Sequence, residues 1–269
     1  MNNKPICVFD SGLGGLTAVR ELRRIMPNEN IIYFGDTGRM PYGGRSKAQI
    51  RTIARQNIAF AESLGVKAIL AACGTISSNA QDILAENKLR IIGVLTPGTK
   101  ELAATGKKRL GVIATATSIK SGAFQAELKK LRPDAEIIAV PCPEFVPMIE
   151  SGHISADDAT VKDVVKRTLE PVKEAEVEAL LLGCTHYGII VDAISRYLPE
   201  TKLVGAADAS ARALKAYLDE CDAQSDGPAS EQYFTSGSTD NFISLAPVLL
   251  GELKGPVRFV EPAPLEVEP

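Results

Sequence analysis

The chain has 269 residues, 45% of them hydrophobic and 23% charged, the proportions of an ordinary globular protein and not of a disordered or collagen-like one. Its 30 Lys and Arg stand against 33 Asp and Glu, a formal net charge of −3, so no global field draws nucleic acid or an anionic membrane. The length allows one large or two medium domains, and five scattered cysteines, an odd number, read as reduced thiols of a cytoplasmic protein and not as staples.

Short apolar runs alternate with longer amphipathic segments from end to end, the pattern of parallel strands joined by helices, so the fold class is α/β. Ile6 to Phe9 is a first strand, too short an apolar run for a signal peptide, and its early start leaves no N-terminal extension for a further regulatory segment. No apolar stretch reaches the roughly 18 residues of a membrane span. A helix is predicted over 16–25, with Leu16, Val19 and Leu22 on one face, then a second strand from Ile31 to Phe34. A glycine-rich loop follows over 35–45, and a long helix from about Lys47 to Leu64, ended by Gly65.

Ala68 to Ala72 is a continuous apolar strand that runs into Cys73-Gly74-Thr75 and a helix through about Ala85. Ala179 to Gly183 does the same, running into Cys184-Thr185-His186 and a helix from about Ile189. A second echo links Ile6 to Phe9, entering Asp10-Ser11-Gly12, with Leu110 to Ala114, entering Thr115-Ala116-Thr117-Ser118. These echoes predict two similar α/β halves. A break at 94–98 ends the first, and a helix near Ala207 ends the second, giving domains of 1–97 plus about 207–269, and 98–206. The segment around Tyr233-Phe234 is expected to pack back on the first half, and the proline-rich acidic tail over 261–269 to fray.

Ligands of open parallel sheets bind beyond the carboxyl ends of the strands, where both Cys motifs fall. A thiol at a helix start lies near the positive end of the dipole, which favours the thiolate. The alternatives for Cys73 and Cys184 are small buried hydrophobes, or ligation of a metal by Cys184 with His186, although the usual zinc pairs are absent and the chain holds only two histidines. A hydrolase with Cys184 as nucleophile and His186 as base would need two residues on one turn to face each other. Asp10-Ser11-Gly12-Leu13-Gly14-Gly15 reads either as a phosphate cradle or as a turn that aims Asp10 at the strand ends. His153 reads as an exposed loop residue, and Cys7, Cys142 and Cys221 as packing.

The set Phe9-Asp10-Ser11-Gly12-Leu13-Gly14-Gly15-Leu16-Thr17, Tyr33-Phe34-Gly35-Asp36-Thr37, Pro41-Tyr42-Gly43, Ala72-Cys73 with Thr75, and Gly183-Cys184-Thr185-His186-Tyr187 resembles the glutamate racemases, in order and spacing, from Ile6 to about Gly251. The resemblance implies two α/β domains with substrate between them and cofactor-independent interconversion of L- and D-glutamate, supplying D-glutamate for peptidoglycan. It implies no metal, and a homodimer as the assembly. Inversion at Cα needs a proton removed from one face and another delivered to the opposite face, which two flanking thiols can do. By the resemblance these are Cys73 and Cys184, with Asp10 assisting the first, His186 the second, and Glu150 a carboxylate near the second. Ser11, Tyr42, Gly43, Gly74, Thr75, Ser118 and Thr185, with Asp10 and His186, are the substrate-binding residues it implies.

The chain departs from the family pattern at three places. The family's Ala-Cys-Asn-Thr is Ala72-Cys73-Gly74-Thr75 here, Ser118 stands where threonine is usual, and Gly188 replaces a proline. Loss of one charge-assisted bond from the missing Asn, roughly 1.5 to 3 kcal/mol, predicts turnover lowered about 10- to 150-fold, and Gly74→Asn is then expected to raise kcat/KM. A racemase for aspartate, or an amino-acid-binding relative with weakened catalysis, are the competing readings.

Overall fold

The computed structural model describes residues 1–265. From the N-terminus, β1 (Ile6–Asp10) leads to α1 (Leu16–Ile25), and β2 (Ile31–Gly35) to two 3-10 turns (Thr37–Arg39 and Tyr42–Gly44) and α2 (Lys47–Ser63). β3 (Ala68–Ala71) leads to α3 (Gly74–Asn79) and α4 (Gln81–Glu86), and β4 (Ile91–Gly93) to α5 (Leu95–Ala103). The next stretch holds β5 (Arg109–Ala114), α6 (Ala116–Lys120), α7 (Ala123–Leu131), β6 (Glu136–Pro141), α8 (Phe145–Glu150) and α9 (Ala159–Glu174). It continues with β7 (Ala179–Leu182), a 3-10 turn (Thr185–Ile190), α10 (Val191–Tyr197), β8 (Lys202–Gly205) and α11 (Ala206–Glu220). β9 (Glu231–Thr235), α12 (Thr239–Leu250) and β10 (Val257–Phe259) complete the described chain.

One sheet has six strands in the order β10-β9-β2-β1-β3-β4, the other four in the order β6-β5-β7-β8. The run β2-β1-β3-β4 and the run β6-β5-β7-β8 are the same arrangement, so the sequence echoes correspond to equivalent strands: β1 with β5, and β3 with β7. Ile6 lies opposite Ile31 and Ala68, as Leu110 lies opposite Ile137 and Ala179. Every strand pairing among the described residues is parallel, and helices cover both faces, which is why the inner strands β1, β3, β5 and β7 are largely apolar. In β1, Ile6 and Val8 pack with α1 and α11, while Cys7 and Phe9 pack with α2 on the other face. Burial of each such side chain contributes roughly 1.5–3 kcal/mol.

The structure corrects several expectations. The helix after Cys73 is two helices, because Ser77, Ser78 and Asn79 turn their side chains back onto the carbonyls of Ala71 and Thr75, and Ala80 then leaves helical geometry at φ −134°. The chain after Cys184 forms a 3-10 turn before its helix, with Gly188, a weak helix former, in its middle. The break expected at 94–98 is occupied by α5, with Pro97 in its first turn where an N–H is not needed. Leu95 and Leu102 of that helix join the core around β5 and β7. The tail does not fray over 261–265: Leu265 packs against the core behind α2, and the Pro264 carbonyl accepts a 2.9 Å hydrogen bond from Gln56. Residues 266–269 of the expected frayed tail lie outside the described residues. As expected, the C-terminal segment returns to the first sheet, where β9 pairs with β2.

Candidate active site

The carboxyl ends of the two sheets face each other across a cavity of about 360 Å³. From the first sheet it is lined by Asp10 and Ser11 after β1, Tyr42 and Gly43 after β2, and Cys73, Gly74 and Thr75 after β3. From the second it is lined by Thr115, Cys142 and Val146, and by Cys184, Thr185 and His186 after β7. Cys73 and Cys184 therefore hold equivalent places in equivalent halves, each an extended residue capping the turn that follows it. Both are buried, 4% and 7% exposed, so the thiols meet little water.

Two hydrogen-bonded chains converge on these sulfurs. On one side the Cys73 thiol donates to Ser11 Oγ at 3.8 Å, and the Ser11 hydroxyl donates to Asp10 Oδ1 at 3.3 Å. The same oxygen accepts the Gly12 N–H at 2.9 Å, while Asp10 Oδ2 accepts the Thr185 hydroxyl at 2.8 Å. Asp10 thus reaches Cys73 through Ser11. On the other side Cys184 Sγ lies 3.8 Å from His186 Nδ1, and His186 Nε2 lies 2.6 Å from Glu150 Oε1. The turn that seemed unfit to face Cys184 and His186 towards each other does so.

The electrostatics differ on the two sides. Burial, and then the Asp10 carboxylate, push the Cys73 thiol up to about 12, so Cys73 keeps its proton. The expectation that a helix start favours the thiolate fails here: α3 has only six residues, and a carboxylate shares its dry surroundings. Burial alone would lower the His186 pKa, but its contacts with Cys184 and Glu150, and the nearby charge of Asp10, carry it well above the ordinary value. Burial raises the Asp10 carboxyl, and His186, the Gly12 N–H and Thr185 only partly offset this.

Two residues implied by the resemblance do not line the cavity. Glu150 stands behind His186, and the buried Ser118 stands behind Thr115, its hydroxyl 2.8 Å from Thr115 Oγ1. Thr115 itself, 3.1 Å from Thr75 Oγ1 across the cleft, is a polar wall residue that sequence reasoning passed over. Its signal was its place at the end of β5, equivalent to Ser11 after β1. Cys142, read as packing, is buried yet lines the cavity, and Cys221, also read as packing, is exposed. His153 is half-exposed and pairs at 2.7 Å with Asp158, which caps α9.

Asp36 is fully buried and ties the cleft wall together, accepting from Arg39 Nε at 2.7 Å, from Ser236 Oγ at 2.6 Å and from the Tyr42 hydroxyl. The loop after β1 packs on His186 so closely that a Cβ on Gly14 would overlap its imidazole ring, the close approach expected of a turn that aims Asp10 at the strand ends. At Gly74 a Cβ would fall far inside the 3.0 Å limit of real contacts from the Gly183 carbonyl oxygen. The space that the family Asn would fill is thus taken by backbone, and the expected gain from Gly74→Asn is withdrawn.

The sequence matches the Asp/Glu/Hydantoin racemase family over residues 17–214. It is 38% identical over 261 residues to the glutamate racemase of Thermoanaerobacter pseudethanolicus, covering 94% of this chain and 95% of that one. It is 38% identical over 251 residues to that of Microcystis aeruginosa, covering 92% and 88%. Among solved structures, glutamate racemase from Francisella tularensis subsp. tularensis in complex with D-glutamate superposes with a TM-score of 0.89 at 36% identity, covering 99% of each chain. The glutamate racemase isoform RacE1 from Bacillus anthracis superposes with a TM-score of 0.92 at 30% identity, covering 97% and 98%. Two facing α/β sheets, paired buried thiols at equivalent strand ends and these likenesses agree: the chain belongs to the Asp/Glu/Hydantoin racemase family, among its glutamate racemases.

Proposed function

We propose that this chain interconverts L- and D-glutamate by proton transfer at Cα between two thiols, Cys73 and Cys184. The observation that carries the reading is the placement of two buried cysteines, from equivalent strand ends of two equivalent sheets, on one cavity. Residues 1–97 with the chain from about 207 onward, and residues 98–206, are the two domains, joined at α5 and at the start of α11.

In one direction a Cys184 thiolate takes the Cα proton, and its electron pair delocalises into the α-carboxylate. Cys73, which holds its proton, delivers it to the opposite face. The roles exchange for the reverse reaction. The imidazolium of His186 balances charge on the Cys184 sulfur, and Glu150 fixes the ring. On the other side the Ser11 hydroxyl accepts the Cys73 S–H and is held by Asp10; burial, and then the Asp10 carboxylate, keep that thiol protonated. Positioned acid and base groups of this kind contribute about 10²- to 10⁴-fold each. The hydroxyls of Ser11, Thr75, Thr115 and Thr185, with the Tyr42–Gly43 wall, hold the substrate carboxylates, which a chain of net charge −3 cannot attract globally. D-Glutamate made in the cytoplasm for peptidoglycan is the role that follows.

Enantiomers have equal free energy in water, so the optical rotation of either glutamate enantiomer decays to zero with purified protein. Aspartate in parallel is predicted to decay far more slowly. Stable rotation of both glutamate enantiomers at high protein concentration rejects the proposal, and faster decay of aspartate reassigns the substrate.

A further inference from the structure

We infer that Tyr33 is a positioning residue that acts on both acid/base arms at once, an inference that rests on the racemase reading. Tyr33 is fully buried on β2 and is not among the residues that line the cavity. Its hydroxyl donates to the Gly12 carbonyl at 2.7 Å, and no other donor among the described residues reaches that oxygen. Gly12 is where the two arms meet. Its N–H donates to Asp10 Oδ1 at 2.9 Å, and that oxygen also holds Ser11, the acceptor of the Cys73 thiol. A Cβ on Gly12 would lie 2.9 Å from Glu150 Oε1 and 3.3 Å from His186 Nε2, so its bare Cα is the surface on which the pair behind Cys184 rests. A shift of Gly12 therefore reaches the groups that assist each thiol.

The Gly12 carbonyl is gripped from two directions. A Cβ on Gly35 would lie 2.8 Å from its oxygen, so the main chain at the end of β2 closes one side, and the Tyr33 hydroxyl closes another. The Tyr33 ring is itself fixed: it lies opposite Val8 and Tyr233 in the sheet, and its centroid is 6.0 Å from that of Phe242 in α12. Without the hydroxyl, a buried carbonyl has no partner, and the turn gains by moving to find one. A misplacement of order 1 Å at reacting groups costs on the order of 100-fold, so a shift of a few tenths of an ångström costs about tenfold. Because Tyr33 stands outside the cavity, this loss falls on proton transfer and not on substrate binding.

The test uses Tyr33→Phe, which keeps the ring and removes only the hydroxyl. Racemisation is measured beside elimination from the L and D forms of 3-chloroglutamate, in which each enantiomer presents its Cα proton to a different thiol. In elimination a thiolate takes that proton, the electron pair forms the Cα–Cβ double bond, and chloride leaves. The resulting enamine hydrolyses with water to 2-oxoglutarate and ammonia. Rates are taken per folded molecule, checked by circular dichroism. Tyr33→Phe is predicted to lower kcat for racemisation about tenfold with KM within about twofold of wild type, and to slow both eliminations by a similar factor. Gly12→Ala, which presses on Glu150 and His186 from the same turn, is predicted to slow both eliminations as well, and it decides the matter if Tyr33→Phe does not fold. A Tyr33→Phe protein that melts lower yet turns over at the wild-type rate assigns Tyr33 to stability alone and overturns the inference. Loss confined to one enantiomer, a raised KM with kcat intact, or failure of both variants to fold would each overturn it too. A wild-type protein that fails to racemise glutamate refutes the underlying function instead, and that control is run first.

Discussion

The Thr185 hydroxyl donates to the Asp10 carboxylate at 2.8 Å, joining residues 175 positions apart across the cleft. Each is the neighbour of a segment that carries a thiol: Asp10 adjoins Ser11, which touches Cys73, and Thr185 follows Cys184. The bond makes the closed cleft and the paired thiols one structure, and it holds a carboxylate where burial opposes its charge.

That opposition predicts the behaviour of Asp10→Asn. The folded pKa of Asp10 is raised, so its neutral form is the stabilised one: the fold bears no cost below the ordinary carboxylate value, and the cost grows as pH rises through the folded value. Asn cannot ionise, and the Thr185 hydroxyl can accept from its amide as readily as it donates to Asp10. Calorimetry should give a Tm above wild type at pH 8, with the difference shrinking towards pH 4. Racemisation should fall by about 100-fold or more, since Ser11 loses its anionic partner. A Tm gap that widens on acidification would contradict the assignment.

His186 carries the opposite sign. Against the lowering effect of burial, its contacts with Cys184 and Glu150 raise its folded pKa well above normal. Its charged form therefore stabilises the fold fully below about 6.5, and this contribution is lost as pH rises through the elevated folded value. His186→Asn removes it, so the Tm deficit of the variant should be largest near pH 6 and shrink at alkaline pH, measured by circular dichroism melts. A deficit that grows with pH would show that the ring is neutral.

Asp36 should matter to binding through the wall it supports. Asp36→Ala leaves the Arg39 guanidinium buried without its carboxylate, a loss of about 3–5 kcal/mol, or roughly 10 °C in Tm. It also frees Tyr42, so KM for glutamate should rise roughly tenfold, about 1.4 kcal/mol of binding. Initial-rate kinetics at a temperature where the variant is folded separates the two effects, and an unchanged KM would mean that the Tyr42–Gly43 wall does not touch substrate.

Much of this was legible along the chain, because parallel sheets write their strands as uninterrupted apolar runs and put their ligands just after them. Ile6–Phe9, Ala68–Ala72, Leu110–Ala114 and Ala179–Gly183 exposed the duplicated halves, and residues directly after each run are among those that line the cavity. What stayed hidden depends on contacts between distant segments. Nothing near Ala80 announces that Ser77 to Asn79 will bond backwards and end a helix. Ser118 and Thr115 share a strand end, and only the turn of α6 decides which hydroxyl faces the cleft. Gly74 read as a missing amide because the backbone that fills its space lies more than a hundred residues away.

The central claim is that two thiols, one on each face, carry the proton. The most direct measurement is the deuterium content of both enantiomers at early times when L-glutamate is converted in D₂O, with Cys73→Ser and Cys184→Ser as companions. Two-thiol chemistry predicts that the D-glutamate formed carries solvent deuterium at Cα, that the remaining L-glutamate stays protiated, and that each Ser variant loses about 10²- to 10⁴-fold in racemisation. Deuterium appearing equally in recovered L-glutamate and product, or a Ser variant that racemises at the wild-type rate, would contradict it.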